Sequence, residues 1–129
     1  MKAQKTHNKR FHFDNTLFDS PLETADFDVF QAGDLYCGCG FATGEHTQSV
    51  PVELTFVERG SGFMFTNGRA EKMKQGRAYL SLSGDRHDVV SDDGDSLRYF
   101  YLASGVREGS PLYAAAKYIA DAFAAKPRR

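Results

Sequence analysis

The sequence has no tryptophan, only two cysteines and no apolar run long enough to cross a membrane. Its start also shows no n-region and h-region of the kind that form a secretory signal peptide. Cys37 and Cys39 are two residues apart, and a disulfide across that spacing is strained. We therefore predict a reduced, cytoplasmic protein that makes no contact with a membrane.

Net charge is nearly absent as well, because 16 lysines and arginines are balanced by 17 acidic residues, which gives a formal net charge of −1. The basic clusters lie at the two ends of the chain rather than along its body. A chain that binds nucleic acid by itself usually presents a basic face. We expect no direct nucleic-acid contact by this chain.

Glycine and aromatic residues are plentiful by contrast. The 129 residues fit one domain, and 12 glycines with a 13% aromatic share favour strands and turns over a helical bundle. Short alternating stretches in the central part of the chain are separated by turn signals, such as the hairpin dipeptide Asn67-Gly68. Ala32-Gly33 is expected to end one strand and precede the next. Strands at this spacing predict a sandwich or a closed barrel.

The two ends differ from this central part, which spans residues 26–105. Residues 1–25 are polar and irregular, and predict an N-terminal arm that packs onto the domain or covers it. Residues 106–129 predict a helix and a tail, with Ser110 as the N-cap and Pro111 at the first helical position. Four apolar residues share one helical stripe: Leu112, Ala116, Ile119 and Phe123. The stripe is expected to pack on the barrel, on a further domain or on a partner chain, as in a homodimer.

One set of spaced residues carries more specific information. Gly40 is followed after five residues by His46, then by Gln48, by Glu53 and, after six more residues, by Gly60. This order resembles the first motif of the cupin family. Gln48 stands where the family has a second histidine.

A second set follows downstream. Gly76 is followed after five residues by Leu82, then by Gly84, by His87 and, after three more residues, by Ser91. This order resembles the second cupin motif, with Leu82 in place of a proline and Ser91 in place of an asparagine. The resemblance covers most of the central part. It implies an all-β fold, the cupin double-stranded β-helix or jelly-roll barrel, here with one C-terminal α-helix.

The residue types at these positions suggest a metal site. His46 and Gln48 lie two apart on one predicted strand and point the same way. Glu53 faces the barrel interior if Leu54 faces the other layer, and the resemblance brings His87 opposite. Two imidazoles, a carboxylate and an amide oxygen are candidate ligands for one divalent transition metal (Zn, Fe, Mn or Ni). In the alternative that stays open, the histidines hydrogen-bond Glu53 across a water-filled cavity and no metal is bound.

Six residues are candidate ligand contacts inside the barrel: His46, Glu53, Tyr79, His87, Tyr99 and Tyr101. The two histidines are expected to mark the mouth of the pocket. Each tyrosine could present a hydroxyl to the pocket, although aromatic residues on strands more commonly pack in the core.

Two stretches narrow the class of cupin. Residues 52–62 are similar to the first-motif strand of the AraC-type transcription regulators, and residues 97–103 are similar to their last barrel strand. In that family a small N-terminal cupin domain senses a small molecule, and the helix after it helps to form dimers. The resemblance implies a small-molecule-sensing domain of such a regulator. The helix-turn-helix units of the family have no counterpart here, so we expect this chain to lack the DNA-binding half.

The rival hypothesis is an enzyme. A free-standing cupin that binds a metal could act as a dioxygenase, isomerase or decarboxylase on a small substrate. The replacement of a histidine by Gln48 lowers this expectation, and no catalytic residue is predicted. A third hypothesis is a sugar-binding or structural cupin with neither a metal nor a DNA partner.

Overall fold

The computed structural model describes residues 2–7 and 11–125, and side chains within 16–18 and 20–122. This part of the chain is mostly β-strand with one helix, as predicted. The strands are β1 (Lys2–His7), β2 (Phe11–Glu23), β3 (Phe27–Cys37), β4 (His46–Thr47), β5 (Val52–Thr66), β6 (Arg69–Lys74), β7 (Ala78–Leu82), β8 (Arg86–Ser91) and β9 (Leu97–Val106), and the helix is α1 (Tyr113–Ala125).

One long strand, β5, joins two antiparallel layers. Its first half pairs with β7 and β9, and its second half pairs with β6 and β8. The change of partners follows a register shift between Val57 and Arg59, and Gly60 comes next with a φ of 86°. A Cβ atom on Gly60 would lie 1.8 Å from the carbonyl oxygen of Ser96, so only glycine permits this approach. The sheet thus curls around an interior, in the strand order β1-β2-β3-β9-β5-β8-β4.

The hairpin between β5 and β6 is formed by Asn67 and Gly68, as predicted. Both residues have positive φ angles, 51° and 82°, which are typical of the two-residue turn that matches the twist of paired strands. The Asn67 side chain also accepts a hydrogen bond from the Arg86 N–H (3.0 Å), which ties the turn to the start of β8.

One end of the interior, here called the closed end, is filled with apolar side chains. Four of them have no exposed surface: Cys37, Val57, Met73 and Leu97. Tyr79 completes the group. Its hydroxyl donates to the carbonyl oxygen of Lys72 (2.7 Å) and accepts from the N–H of Lys74 (2.9 Å), so its polar atom is satisfied within the core.

The two cysteines are free thiols, as their spacing predicts. Cys37 is buried and Cys39 is exposed. Burial raises the pKa of the Cys37 thiol to about 12, so this side chain acts as a small apolar group of the core.

Two local predictions are wrong. Ala32-Gly33 does not break a strand, because β3 is continuous and is held between β2 and β9. Gly33 allows close packing instead, since a Cβ atom there would lie 2.3 Å from the ring of Tyr101. The N-terminal segment was expected to be irregular, yet it contains β1 and β2, and β2 pairs with β3. Backbone pairing with an existing strand forms these strands despite their polar sequence.

Helix α1 follows β9 through a capped turn. The Ser110 hydroxyl accepts a hydrogen bond from the Leu112 N–H (3.0 Å), which agrees with its predicted role as N-cap, although the helix begins at Tyr113, two residues later than predicted. In the apolar stripe, Leu112 and Ile119 are 46% and 62% exposed, and the side chain of Phe123 lies outside the described residues. Within the described ranges, no helix is long and apolar enough to cross a membrane.

The outer face of β5 and β9 is also apolar. In the register of these strands, Leu54 lies opposite Leu102 and Phe56 lies opposite Phe100. Each of the four side chains is between 39% and 45% exposed. Because side chains alternate along a strand, the residues between them point into the barrel.

Candidate ligand-binding site

The remaining part of the interior, here called the cavity end, holds a cavity of about 300 Å³. Its apolar wall is made by Leu35, Met64 and Val89. The polar side chains that line it are Gln31, Thr43, His46, Glu53, Thr55, His87, Tyr99 and Tyr101. A concave site of this volume, with convergent polar groups beside an apolar wall, is typical of small-molecule binding.

Strand pairing brings the two motif histidines together. The two-residue strand β4 pairs with β8 so that His46 lies directly opposite His87. Their ring centroids are 4.2 Å apart, and the rings are inclined by 69°. His46 is exposed, whereas His87 has only 3% of its surface exposed. His46 therefore lies at the mouth of the cavity and His87 lies inside it.

A chain of hydrogen bonds holds both rings in place. His46 Nδ1 lies 3.2 Å from the carbonyl oxygen of Gly44, which only accepts, so this nitrogen carries the proton. His46 Nε2 and His87 Nε2 lie 2.6 Å apart, so one of these two nitrogens donates a hydrogen bond to the other. His87 Nδ1 lies 3.0 Å from the Ser81 hydroxyl, which is also 3.8 Å from the sulfur of Met64. Each of the four ring nitrogens thus has a protein partner.

Burial makes His87 a neutral residue. Burial, with a smaller contribution from the charge of His46, lowers the pKa of His87 to about 4. The carboxylates of Asp85 and Asp88 counteract this in part. The ring is therefore uncharged near neutral pH, in agreement with its two hydrogen bonds.

Glu53 points from β5 into the cavity, beside His87. Its Oε2 atom lies 3.5 Å from His87 Nε2, and its side chain is 14% exposed. Burial raises the pKa of Glu53, and the charge of His46 lowers it in part. Among the residues that the structure describes, none donates a hydrogen bond to this carboxylate. The cavity thus contains a largely buried acid whose acceptor oxygens lack donors from the protein.

The opposite polar groups come from β3 and β9. Tyr99 and Tyr101 project from β9, and Gln31 Nε2 on β3 donates to the Tyr101 hydroxyl at 2.8 Å. Burial raises the pKa of both tyrosines, and the negative charge of Glu53 raises it further. Both hydroxyls are therefore neutral. Gln31 was not predicted, although it lies four residues before the inward-facing Leu35, a spacing that indicates the same face.

Two predicted site residues lie outside the cavity lining. Gln48 is buried, but its N–H donates to the Asp85 carbonyl oxygen (2.7 Å) and its side chain reaches the Val50 carbonyl oxygen (3.4 Å). Because β4 ends at Thr47, strand alternation does not carry from His46 to Gln48. Tyr79 packs at the closed end. The other five candidate contacts, His46, Glu53, His87, Tyr99 and Tyr101, all line the cavity.

The predicted set of four metal ligands does not fit this geometry. The two histidine nitrogens are at hydrogen-bonding distance, whereas two nitrogens bound to one zinc ion are about 3 Å or more apart. Gln48 does not line the cavity. Among the described side chains, those within residues 16–18 and 20–122, no group of three or more His, Cys, Asp or Glu is arranged to hold a metal ion.

Residues 36–107 match the family described as the AraC-like ligand binding domain. This match covers more than half of the chain. The chain belongs to this family. The matched residues include β4 to β9 and therefore most of the cavity lining. No curated protein matches the chain.

Solved structures with the same fold include cupin proteins of low identity. The cupin domain of Cnp3 from Schizosaccharomyces pombe is 13% identical, with a TM-score of 0.60, over 83% of this chain and 69% of that one. The DMSP lyase DddQ from Ruegeria pomeroyi is 17% identical, with a TM-score of 0.61, over 84% of this chain and 59% of that one. The polyketide cyclase RemF from Streptomyces resistomycificus is 18% identical, with a TM-score of 0.58, over 89% and 92%. These likenesses establish the cupin fold that the motifs predict.

Proposed function

We propose that this chain is the effector-binding domain of a transcription regulator of the AraC type. The observation that carries the proposal is the cavity itself, in which five predicted contact residues converge in a domain of this family. A small molecule enters past His46 and contacts Glu53, His87 and the two tyrosines of β9. DNA recognition is assigned to a separate part of such a regulator.

In this proposal, β9 transmits the effect of ligand binding from the cavity to the helix. Tyr101 contacts the ligand from the middle of this strand, and β9 leads into the turn before α1. That turn is anchored on Asp26, whose backbone carbonyl accepts from the Arg107 N–H (2.8 Å) and whose carboxylate accepts from the Ser110 hydroxyl (2.7 Å). A ligand changes this junction only if it binds one arrangement of β9 and α1 more tightly than another.

The test uses two substitutions on neighbouring residues of β5. Thr55→Phe adds a ring inside the cavity, whereas Leu54→Phe adds ring atoms on the outer face. A panel of small molecules is screened by ligand-observed NMR against each protein. We expect binding to the original chain and to Leu54→Phe, and its loss in Thr55→Phe. Equal binding to all three proteins would refute a role for the cavity.

The metal-dependent enzyme has weaker support, because His46 and His87 hydrogen-bond each other and Gln48 lies elsewhere. Metal content by mass spectrometry, with His87→Ala as the control, separates the two functions. We expect no stoichiometric Zn, Fe, Mn or Ni. A near-stoichiometric metal that is lost in His87→Ala would favour the enzyme.

We further propose that a second copy of the chain binds through α1. Support comes from the exposure of Leu112 and Ile119, and from a net charge of −1, which leaves little repulsion between copies. In sedimentation velocity, Ile119→Asp is expected to convert a dimer to a monomer, and Leu102→Asp on the outer sheet face is expected to leave it dimeric. A dimer lost only in Leu102→Asp would assign the contact to the sheet.

A further inference from the structure

The side chains that line the cavity are unbalanced in charge. Glu53 is the one carboxylate among the described lining residues, and none of those residues is a lysine or an arginine. Carboxylate and phosphate ligands are commonly held by such cations. A ligand that carries a negative charge would therefore meet Glu53 without a guanidinium or ammonium group to compensate it.

The histidines already have partners of their own. His46 is bound to Gly44 and His87, and His87 is bound to His46 and Ser81, so all four ring nitrogens are engaged. His87 Nε2 lies closer to His46 (2.6 Å) than to Glu53 (3.5 Å). The Glu53 carboxylate is thus left facing the cavity with no hydrogen-bond donor from the described residues.

The groups around Glu53 suit a positive charge with an apolar body. Tyr99 and Tyr101 bring two aromatic rings to the same cavity, and the faces of such rings attract cations. Leu35, Met64 and Val89 supply apolar surface for the rest of a ligand. The Glu53 side chain is 14% exposed, so an ammonium group that enters the cavity would provide this carboxylate with both hydrogen-bond donors and the opposite charge.

We infer that the cavity selects small organic amines in their protonated form, with the ammonium group at Glu53 and an apolar body against the opposite wall. This inference rests on the proposed ligand-binding function and specifies the chemical class of the effector. It excludes small carboxylates and phosphates as effectors.

The test uses three probes of nearly equal shape: benzylamine, benzyl alcohol and benzoate. At neutral pH their polar heads are a cation, a neutral hydroxyl and an anion. Dissociation constants are measured by NMR titration for the original chain and for two variants. Glu53→Gln removes the cavity charge and keeps the side-chain length, while Glu108→Gln removes one exposed carboxylate away from the cavity.

We expect benzylamine to bind about tenfold more tightly than benzyl alcohol, and benzoate to bind most weakly. Glu53→Gln should abolish the preference for benzylamine over benzyl alcohol, and Glu108→Gln should retain it. If benzyl alcohol or benzoate binds best, or if Glu53→Gln keeps the preference, the amine inference is overturned while the ligand-binding function stands. If none of the three probes binds even at millimolar concentration, the amine inference and the proposed ligand-binding function are both overturned.

Discussion

The closed end and the cavity end of the barrel are built from the same strands but in different ways. At the closed end, β5 and β9 contribute Val57 and Leu97, whose apolar side chains have no exposed surface. At the cavity end, the same two strands contribute Glu53 and Tyr101, which line open space. We therefore expect the closed end to contribute more to stability, although the buried core continues to Met64 and Val89 at the cavity end. The cavity end also carries polar groups, which weaken the core and which we propose recognise a ligand.

The largest effect on stability is expected from the truncation of a buried side chain at the closed end. Leu97→Ala removes a fully buried side chain and should lower the free energy of unfolding by about 2–5 kcal/mol. Leu102→Ala, on the outer face of the same strand, is the matched control and should cost less than about 1.5 kcal/mol because Leu102 is partly exposed. Urea denaturation measures the free energy of unfolding of both variants. Equal losses would mean that the closed end does not dominate stability.

The cavity end is expected to respond to acid through His87. Its pKa in the folded chain, about 4, is below the ordinary value of 6.5, so folding favours the neutral ring. The stability that this provides is complete above pH 6.5 and is lost as the pH falls towards 4, by up to about 3 kcal/mol. Thermal unfolding between these pH values should show a decline that is smaller in His87→Gln. Parallel curves for the two proteins would contradict the assignment.

Glu53 should have the opposite dependence and a smaller effect. Its pKa is raised in the folded chain, so its contribution to stability is present below the unfolded value of 4.5 and is lost as the pH rises through the folded value. Glu53→Gln should therefore melt higher than the original chain at neutral pH, and the difference should shrink in acid. Glu108→Gln serves as the control for the lost charge. A variant that melts lower at neutral pH would show that Glu53 stabilises the fold.

Sequence spacing predicted much of the cavity end. His46, Glu53 and His87 follow from the two motifs, because those motifs fix positions on strands that the fold brings together. Gln48 could not be assigned in this way, since its position depends on where the short strand β4 ends. That end is set by contacts with the turn at Asp85, which lies 37 residues further along the chain.

The other misassignments arose where pairing between distant strands outweighs local preference. Ala32-Gly33 has the composition of a turn, yet β2 and β9 hold both sides of β3 and keep it extended. The same error explains why Gln31 was not predicted as a cavity residue. Its side chain is expected to point inward, like that of Leu35, only if β3 is continuous between them. The N-terminal strands were missed for the same reason, because β2 forms by pairing with β3 and β1 forms by pairing with β2.

The most direct test of the account is a titration with benzylamine followed by backbone amide chemical shifts. We predict changes at the cavity end, above all at Gln31, Glu53, His87 and Tyr101, with little change at Met73 and Leu97 of the closed end. Shifts confined to the outer face of β5 and β9, or no shifts at millimolar ligand, would contradict the claim that this interior is a binding site.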